Sequence, residues 1–161
     1  MVLQNVLLGA LFVCNPMGCT VDQPVVSYSA IRRVQQVRHK LRLQPRFVAR
    51  RIAVKQVGIW YRWGGATRKA GFDCSGLMFY AWGRAGVRIP RTTYDQIHVG
   101  SSIASVGRAR VGDLLFPSTG HVQMYLGGGK AVEAAHRGTR VRIRSVYRSY
   151  MAIRRPQVLT R

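Results

Sequence analysis

The order in which two hydrophobic periodicities occur along the 161-residue chain predicts an α+β fold. Apolar residues first recur at helical spacing: Ile31, Val34, Val37 and Leu41, then Phe47, Val48, Ile52, Val54 and Val57, then Leu77, Met78, Tyr80 and Ala81. From Val111 onward the runs shorten to strands. They include a hairpin signal, HVQMYL and KAVEA joined across Gly127-Gly128-Gly129.

Size and composition suit one domain with an N-terminal segment, with bounds at 1–46 and 47–161. At 47% apolar the chain can form a core, and its composition excludes a disordered class. Its charge is unusual: 26 Lys+Arg against 5 Asp+Glu, net +21. Twelve Lys/Arg and no acid lie between Asp22 and Asp73, and eight arginines and no acid follow Glu133. Such an excess bears on partners rather than fold, and the candidates are nucleic acid, anionic membranes and anionic cell-wall polymers. The three cysteines, Cys14, Cys19 and Cys74, form no CxxC pair and no Cys/His cluster of zinc spacing, so neither a metal nor a cofactor is expected.

Each element has a local reason. The run Val6 to Val13 is too short to span a bilayer, which takes about 20 residues. It resembles the apolar part of an export signal, although no Lys or Arg precedes it. Cys14 and Cys19 could pair with each other or lie in a removed segment. Residues 20–50 read as a basic amphipathic helix, which can dock on the domain, lie on an anionic membrane surface, or serve as a solvated linker. Pro45 breaks it, and a second helix covers 47–57 with Gly58 as its stop. Tyr61 could point its hydroxyl into a cleft, whereas Trp60 and Trp63 read as core filling beside the Gly64-Gly65 turn. A third helix runs from Cys74 to about Ala85, with Gly86 past its end, and a short one follows near Tyr94–Val99. Residues 100–110 read as a loop. Strands are expected over Val111–Phe116, 121–126, 130–134, 140–146 and 150–153.

The chemistry centres on GFDCSGLMFYAWGRAG, where a turn and an acid lead directly into Cys74 and an apolar helix. A helix N-terminus carries partial positive charge and unpaired N–H groups, which favour a thiolate and can accept an oxyanion. A thiolate nucleophile needs a base, usually a histidine oriented by a third polar group. Of His39, His98, His121 and His136, His121 is the best placed, at the start of a strand after a glycine turn. If the hairpin closes as a three-residue loop, Leu126 to Gly128, His121 lies directly opposite Glu133, and a carboxylate there can fix the imidazole tautomer. A two-residue loop would put Glu133 on the other face. His136 is the alternative orienter, but on a continuing strand it would face away.

The segments YRWGG, FDCSGLMFYAWGRAGVRIPRTT, GDLLF and GHVQMYLGGGKAVEA, in that order and spacing, resemble the NlpC-type family of papain-like cysteine peptidases over roughly Val48 to Arg155. The resemblance implies a papain-like fold, a small antiparallel sheet packed against helices, with the nucleophile at a helix N-terminus. It also implies hydrolysis of peptide bonds in bacterial peptidoglycan stem peptides, often between D-γ-glutamate and a diamino acid. Carried over, Cys74 is the nucleophile, His121 the base and Glu133 the third polar group, where many members have a second histidine. Tyr61 matches the active-site tyrosine, near the oxyanion or substrate, and Asp73 and Ser75 match positions lining the substrate's amino-terminal side. Gln123 stands where a small residue is common.

These readings lead to a cysteine endopeptidase of peptidoglycan, secreted, periplasmic or wall-associated, or phage-borne, held to anionic wall polymers by its arginine-rich flanks. One rival is an inactive basic binding protein on the same fold. Another is an acyltransferase or amidase acting on γ-glutamyl substrates. Nucleic acid is a poor partner: no binding motif appears, and the aromatics flank glycine turns rather than a basic sheet face.

Overall fold

Helices precede the main sheet, as the periodicities require. The computed structural model describes residues 11–15, 18–22 and 27–157. Contacts divide the chain into two units, through His39 and from Lys40. In the first, β1 (Leu11–Asn15) and β2 (Gly18–Asp22) form an antiparallel hairpin whose backbone register pairs Cys14 with Cys19. Residues 6–10 of the apolar run lie outside the described residues, and Leu11–Val13 fall in β1. Helix α1 (Tyr28–Leu43) begins in this unit, and along it Ile31, Val34 and Val37 are exposed. Among the described residues no helix is long and apolar enough to cross a membrane.

In the second unit α2 (Pro45–Val54) starts directly at the proline, which occupies the helix's opening turn, where its missing N–H costs nothing. Its buried Ala49 and Ala53, four residues apart, lie on the side that packs on α3. The two-residue strands β3 (Ala66–Thr67) and β4 (Gly71–Phe72) pair and lead into α3 (Cys74–Arg84). Gly86, at φ +84°, follows its C-cap, Ala85. Thr92 caps the short α4 (Thr93–Gln96) by accepting from the Asp95 amide.

A six-stranded antiparallel sheet follows. Its strands are β5 (Ser101–Ser102), β6 (Leu114–Ser118), β7 (His121–Gly127), β8 (Lys130–Glu133), β9 (Arg142–Ser145) and β10 (Ala152–Arg155), in the order β5-β10-β6-β7-β8-β9. The expected loop at 100–110 therefore contains an edge strand and a 3-10 turn, Val106–Arg108. The strand expected from Val111 starts at Leu114 instead. Gly112, at φ +93°, turns the chain there, and Asp113 closes the turn by accepting from the Arg110 amide at 2.8 Å.

Period-two alternation splits the sheet's side chains between two clusters. Leu114, Phe116, Val122, Met124 and Val132 meet Phe72, Leu77, Met78 and Trp82, so the helices cover this face. Leu115, Ala131 and Ile153 belong to a second cluster that includes Tyr125, Val146 and Tyr150.

The hairpin register differs from the expected one. Gly127 pairs with Lys130 across a two-residue turn in which Gly128 and Gly129 both have positive φ, +58° and +68°, the conformation that a twisted hairpin requires. Two-residue closure alone would have turned Glu133 to the wrong face. A bulge between Tyr125 and Gly127 adds one residue on β7, and the pairs beyond it are Tyr125 with Ala131 and Met124 with Val132. The same-face relation of His121 and Glu133 survives, but they sit diagonally rather than directly opposite.

The tryptophans also differ from the expectation of core filling. Trp60 is 55% and Trp63 76% exposed, so neither fills the core. The Arg140 guanidinium covers the Trp60 ring at 4.1 Å from its centroid.

Candidate active site

Cys74 opens α3 and is 9% exposed. Its amide, first in the helix, has no intrahelical partner. Asp73 is the N-cap, accepting from the Gly76 amide at 2.6 Å. Gly76 is required by close approach: a Cβ there would lie 2.0 Å from the Gly65 carbonyl oxygen. The element that passes close to this glycine is thus the chain's own Tyr61–Gly65 turn. The Asp73 amide donates to the same carbonyl at 3.0 Å, tying the turn to the helix start.

Both Asp73 carboxylate oxygens are occupied by protein donors. Besides Gly76, they accept from the Gly64 amide at 2.8 Å, the Ser75 hydroxyl at 3.3 Å, and Arg91, whose two terminal nitrogens lie at 3.0 and 2.7 Å. Arg91 also donates to the Ser75 hydroxyl at 3.0 Å and to Gly65 O at 3.2 Å. Sequence alone does not single out Arg91. Its signal was the acid itself: a lone carboxylate at a helix start in a very basic chain needs a partner, but spacing alone does not say which of 26 cations supplies it. Replacing Arg91 with alanine is expected to destabilise the domain by about 3 kcal/mol, because a buried carboxylate loses its counter-ion. Urea unfolding measures this, and a loss under about 0.5 kcal/mol, within the range of neutral surface changes, would contradict it.

These residues line a groove of about 320 Å³ bounded by Trp63, Gly64, Asp73, Cys74, Ser75, Arg91, Tyr94 and Gly120, among others. Trp63 and Tyr94, the latter 66% exposed, stand at its margin.

His121 enters at the start of β7. The Cys74 thiol points toward the Gly120 carbonyl, 3.8 Å away and one residue before His121. His121 Nε2 lies 2.9 Å from Glu133 Oε2. An ionised carboxylate only accepts, so Nε2 carries a proton and Nδ1 is the nitrogen left for the sulfur. Burial alone would push the imidazole down. Hydrogen bonding by the neighbouring Cys74 and Glu133, and the charges of both, outweigh it and raise the ring to about 9.

Glu133 is 1% exposed. Burial would raise its carboxyl, but hydrogen bonds from His121, Gln123 and Arg142, with the charge of His121, bring it down to about 2. Arg142 Nε donates to Glu133 Oε1 at 3.0 Å, and an Arg144 nitrogen lies 3.9 Å from the same oxygen. Tyr61, bridged to Phe72 two residues before Cys74, has its phenol raised by burial, by the charges of Cys74 and Asp73, and against Arg137. It therefore stays a hydroxyl donor at neutral pH.

Structure thus brings Cys74, His121 and Glu133 to one place, with Tyr61 close enough to feel the charge of Cys74, and Asp73 and Ser75 lining the same groove. It leaves out His136, which is exposed and has Nδ1 2.8 Å from the Arg137 carbonyl, and His98, which is exposed beyond α4. Among the described residues no cluster of three or more His, Cys, Asp or Glu could hold a metal ion.

A family model described as NlpC/P60 family matches residues 58–160. The chain is 36% identical over 122 residues to the murein DD-endopeptidase MepH of Escherichia coli, covering 70% of this chain and 45% of that protein. It is 33% identical over 159 residues to the peptidoglycan endopeptidase RipB of Mycobacterium tuberculosis, covering 89% and 64%. It therefore spans roughly half to two thirds of the length of these relatives. Among solved structures, the peptidoglycan hydrolase RipB from M. tuberculosis superposes with a TM-score of 0.64 at 27% identity, over 83% of this chain and 90% of that one. The P60 domain of an M. avium subspecies paratuberculosis antigen gives 0.62 at 35% identity, over 70% and 94%. With a papain-like α+β architecture and a match across most of its length, this chain belongs to the NlpC/P60 family.

Proposed function

We propose that the chain is a cysteine endopeptidase acting on stem peptides of bacterial peptidoglycan in the cell envelope, with residues 47–161 as its catalytic domain. The observation carrying this reading is the juxtaposition of a helix-opening thiol with an imidazole that holds a buried carboxylate at 2.9 Å. The names of MepH and RipB support the substrate class.

The imidazole, raised to about 9, is protonated at neutral pH, which favours a thiolate–imidazolium pair. Cys74 Sγ attacks the amide carbonyl, forming a C–S bond and moving the carbonyl electron pair onto oxygen. The Cys74 amide and the Tyr61 hydroxyl stabilise that oxyanion. As it collapses the C–N bond breaks, and His121 gives its proton to the departing amine. The neutral imidazole then takes a proton from water as its oxygen attacks the thioester; the C–S bond breaks, releasing the carboxylic acid and restoring the thiolate–imidazolium pair. Glu133 keeps the imidazole in one tautomer throughout. Asp73 and Ser75, clamped by Arg91, form the wall for the substrate's amino-terminal side.

The bond we favour lies between D-γ-glutamate and the diamino acid. The name of MepH favours a second reading, cleavage of a D–D peptide bond. Purified sacculi digested by the protein and resolved by mass spectrometry separate the two: the first releases truncated stems, the second uncross-linked intact ones. Absence of any new amine and carboxylate termini would favour a binding protein, and transfer products a γ-glutamyl acyltransferase.

The arginine-rich flanks hold the protein to phosphate- and carboxylate-bearing wall polymers by screened attraction. Binding of Cys74→Ala to sacculi is expected to fall steeply between 0.1 M and 1 M salt, where the screening length shrinks from about 10 Å to about 3 Å. Pull-down against salt checks this, and salt-independent binding would refute it.

A further inference from the structure

Gln123 is the least expected residue near the site: a fully buried amide in the middle of β7. Both of its ends are paired in a fixed sense. Its Nε2 donates to Glu133 Oε2 at 2.6 Å, and its Oε1 accepts from the Tyr150 hydroxyl at 2.8 Å. Tyr150 in turn accepts from the Tyr147 amide at 3.0 Å. An ionised carboxylate cannot donate, so the amide must present NH₂ to Glu133 and its carbonyl to the tyrosine. Every donor then points the same way, from the Tyr147 backbone to the carboxylate.

Glu133 Oε2 is the oxygen that also holds His121. The other oxygen faces two cations on β9, Arg142 at 3.0 Å and Arg144 at 3.9 Å. Among the described residues, the charged or titratable groups around the His121–Glu133 pair include Cys74 from α3, these two arginines from β9, and Tyr147 and Tyr150 before β10. Arg142 thus holds the oxygen turned from the imidazole, and Arg144, which also donates to the Tyr147 hydroxyl, adds positive charge on the same side. Gln123 is the neutral donor that pins Oε2 on the imidazole side.

We infer that Gln123, backed by Tyr150, is a positioning residue that holds the Glu133 carboxylate on His121 against the competing pull of Arg142 and Arg144. This rests on the proposed Cys74–His121–Glu133 chemistry and adds residues to it that touch neither substrate nor sulfur. Loss of the Gln123 donor lets the carboxylate swing toward β9, and the imidazolium loses its partner.

The test is the rate of Cys74 alkylation by iodoacetamide against pH, followed by mass spectrometry at the peptide carrying Cys74, since Cys14 and Cys19 are also present. The wild-type profile is expected to show an upper step near pH 9, where the imidazolium deprotonates. Gln123→Met, which keeps volume and removes the donor, is expected to move that step down by about one unit and to slow hydrolysis about tenfold. Tyr150→Phe keeps the ring packed on Tyr147 and removes only the hydroxyl, so it shifts the step in the same direction by less. Adding Arg142→Met to Gln123→Met is expected to move the step back up, because the competing cation is gone. A purely structural glutamine would change unfolding without moving the step. An upper step unchanged in both single variants overturns the inference. If Gln123→Met does not fold, Tyr150→Phe alone decides it. A wild-type profile with no upper step overturns the Cys–His–Glu reading itself, and this inference with it.

Discussion

Cys74→Ala is expected to lower hydrolysis of purified sacculi by roughly 10⁴- to 10⁶-fold, the range seen when the nucleophile of a triad is removed. In the proposed mechanism the sulfur at the head of α3 forms the acyl-enzyme, and the groove residues Asp73, Ser75 and Arg91 are assigned to binding. The fold is expected to persist. The change removes one buried sulfur and leaves the Asp73 cap with all its donors. The thermal midpoint should therefore stay within a few degrees of wild type while product release vanishes. Rates are read from amine groups released per minute, with circular dichroism as the folding control. Retention of more than about one per cent of activity would exclude Cys74 as nucleophile, since no other group on the groove could replace a factor of this size.

Glu133→Gln is expected to cost roughly 10²- to 10⁴-fold in turnover, as when a buried triad carboxylate becomes an amide. It also removes a negative charge from among His121, Arg142 and Arg144, and is expected to destabilise the fold by about 3 kcal/mol. The pH dependence gives the sharper signature. Glu133 is lowered from 4.5 to about 2, so its stabilising contribution is present above 4.5 and is lost as pH falls through about 2. His121 is raised from 6.5 to about 9, so its contribution is complete below 6.5 and is lost as pH rises through about 9. The pair is worth most between 4.5 and 6.5 and fades on both sides. In Glu133→Gln the acid-side loss disappears, and the alkaline step of activity moves from near 9 toward the ordinary imidazole value of 6.5. Urea denaturation across pH and the pH–rate profile measure the two effects. An alkaline step still near 9 in this variant would show that Glu133 does not hold the imidazole charge.

Local sequence made much of this legible. The turn and acid before Cys74 announced a capped helix, and the glycines after Leu126 announced a hairpin. The strand that begins at His121 offered only one histidine in the right setting. Other features were beyond reach because they depend on partners distant in the chain. Trp60 and Trp63 look like core by composition, yet lie at the surface, one stacked beneath Arg140 and the other at the groove margin. Glu133 shares a face with His121 although the register differs by two residues from the three-residue-loop expectation, because the bulge in β7 restores the parity that a two-residue turn would lose.

By itself, the sequence determined the elements and the chemistry available to them, because helix caps, turn glycines and hydrophobic period act over a few residues. Tertiary structure decided which of 26 Lys and Arg side chains answers each buried acid: Arg91 for Asp73, Arg155 for Asp113, and Arg142, beside the imidazole of His121, for Glu133. Electrostatic pairing depends on distance through space. Only the six-stranded sheet and α3, packed together, set the distances at which one charge feels another.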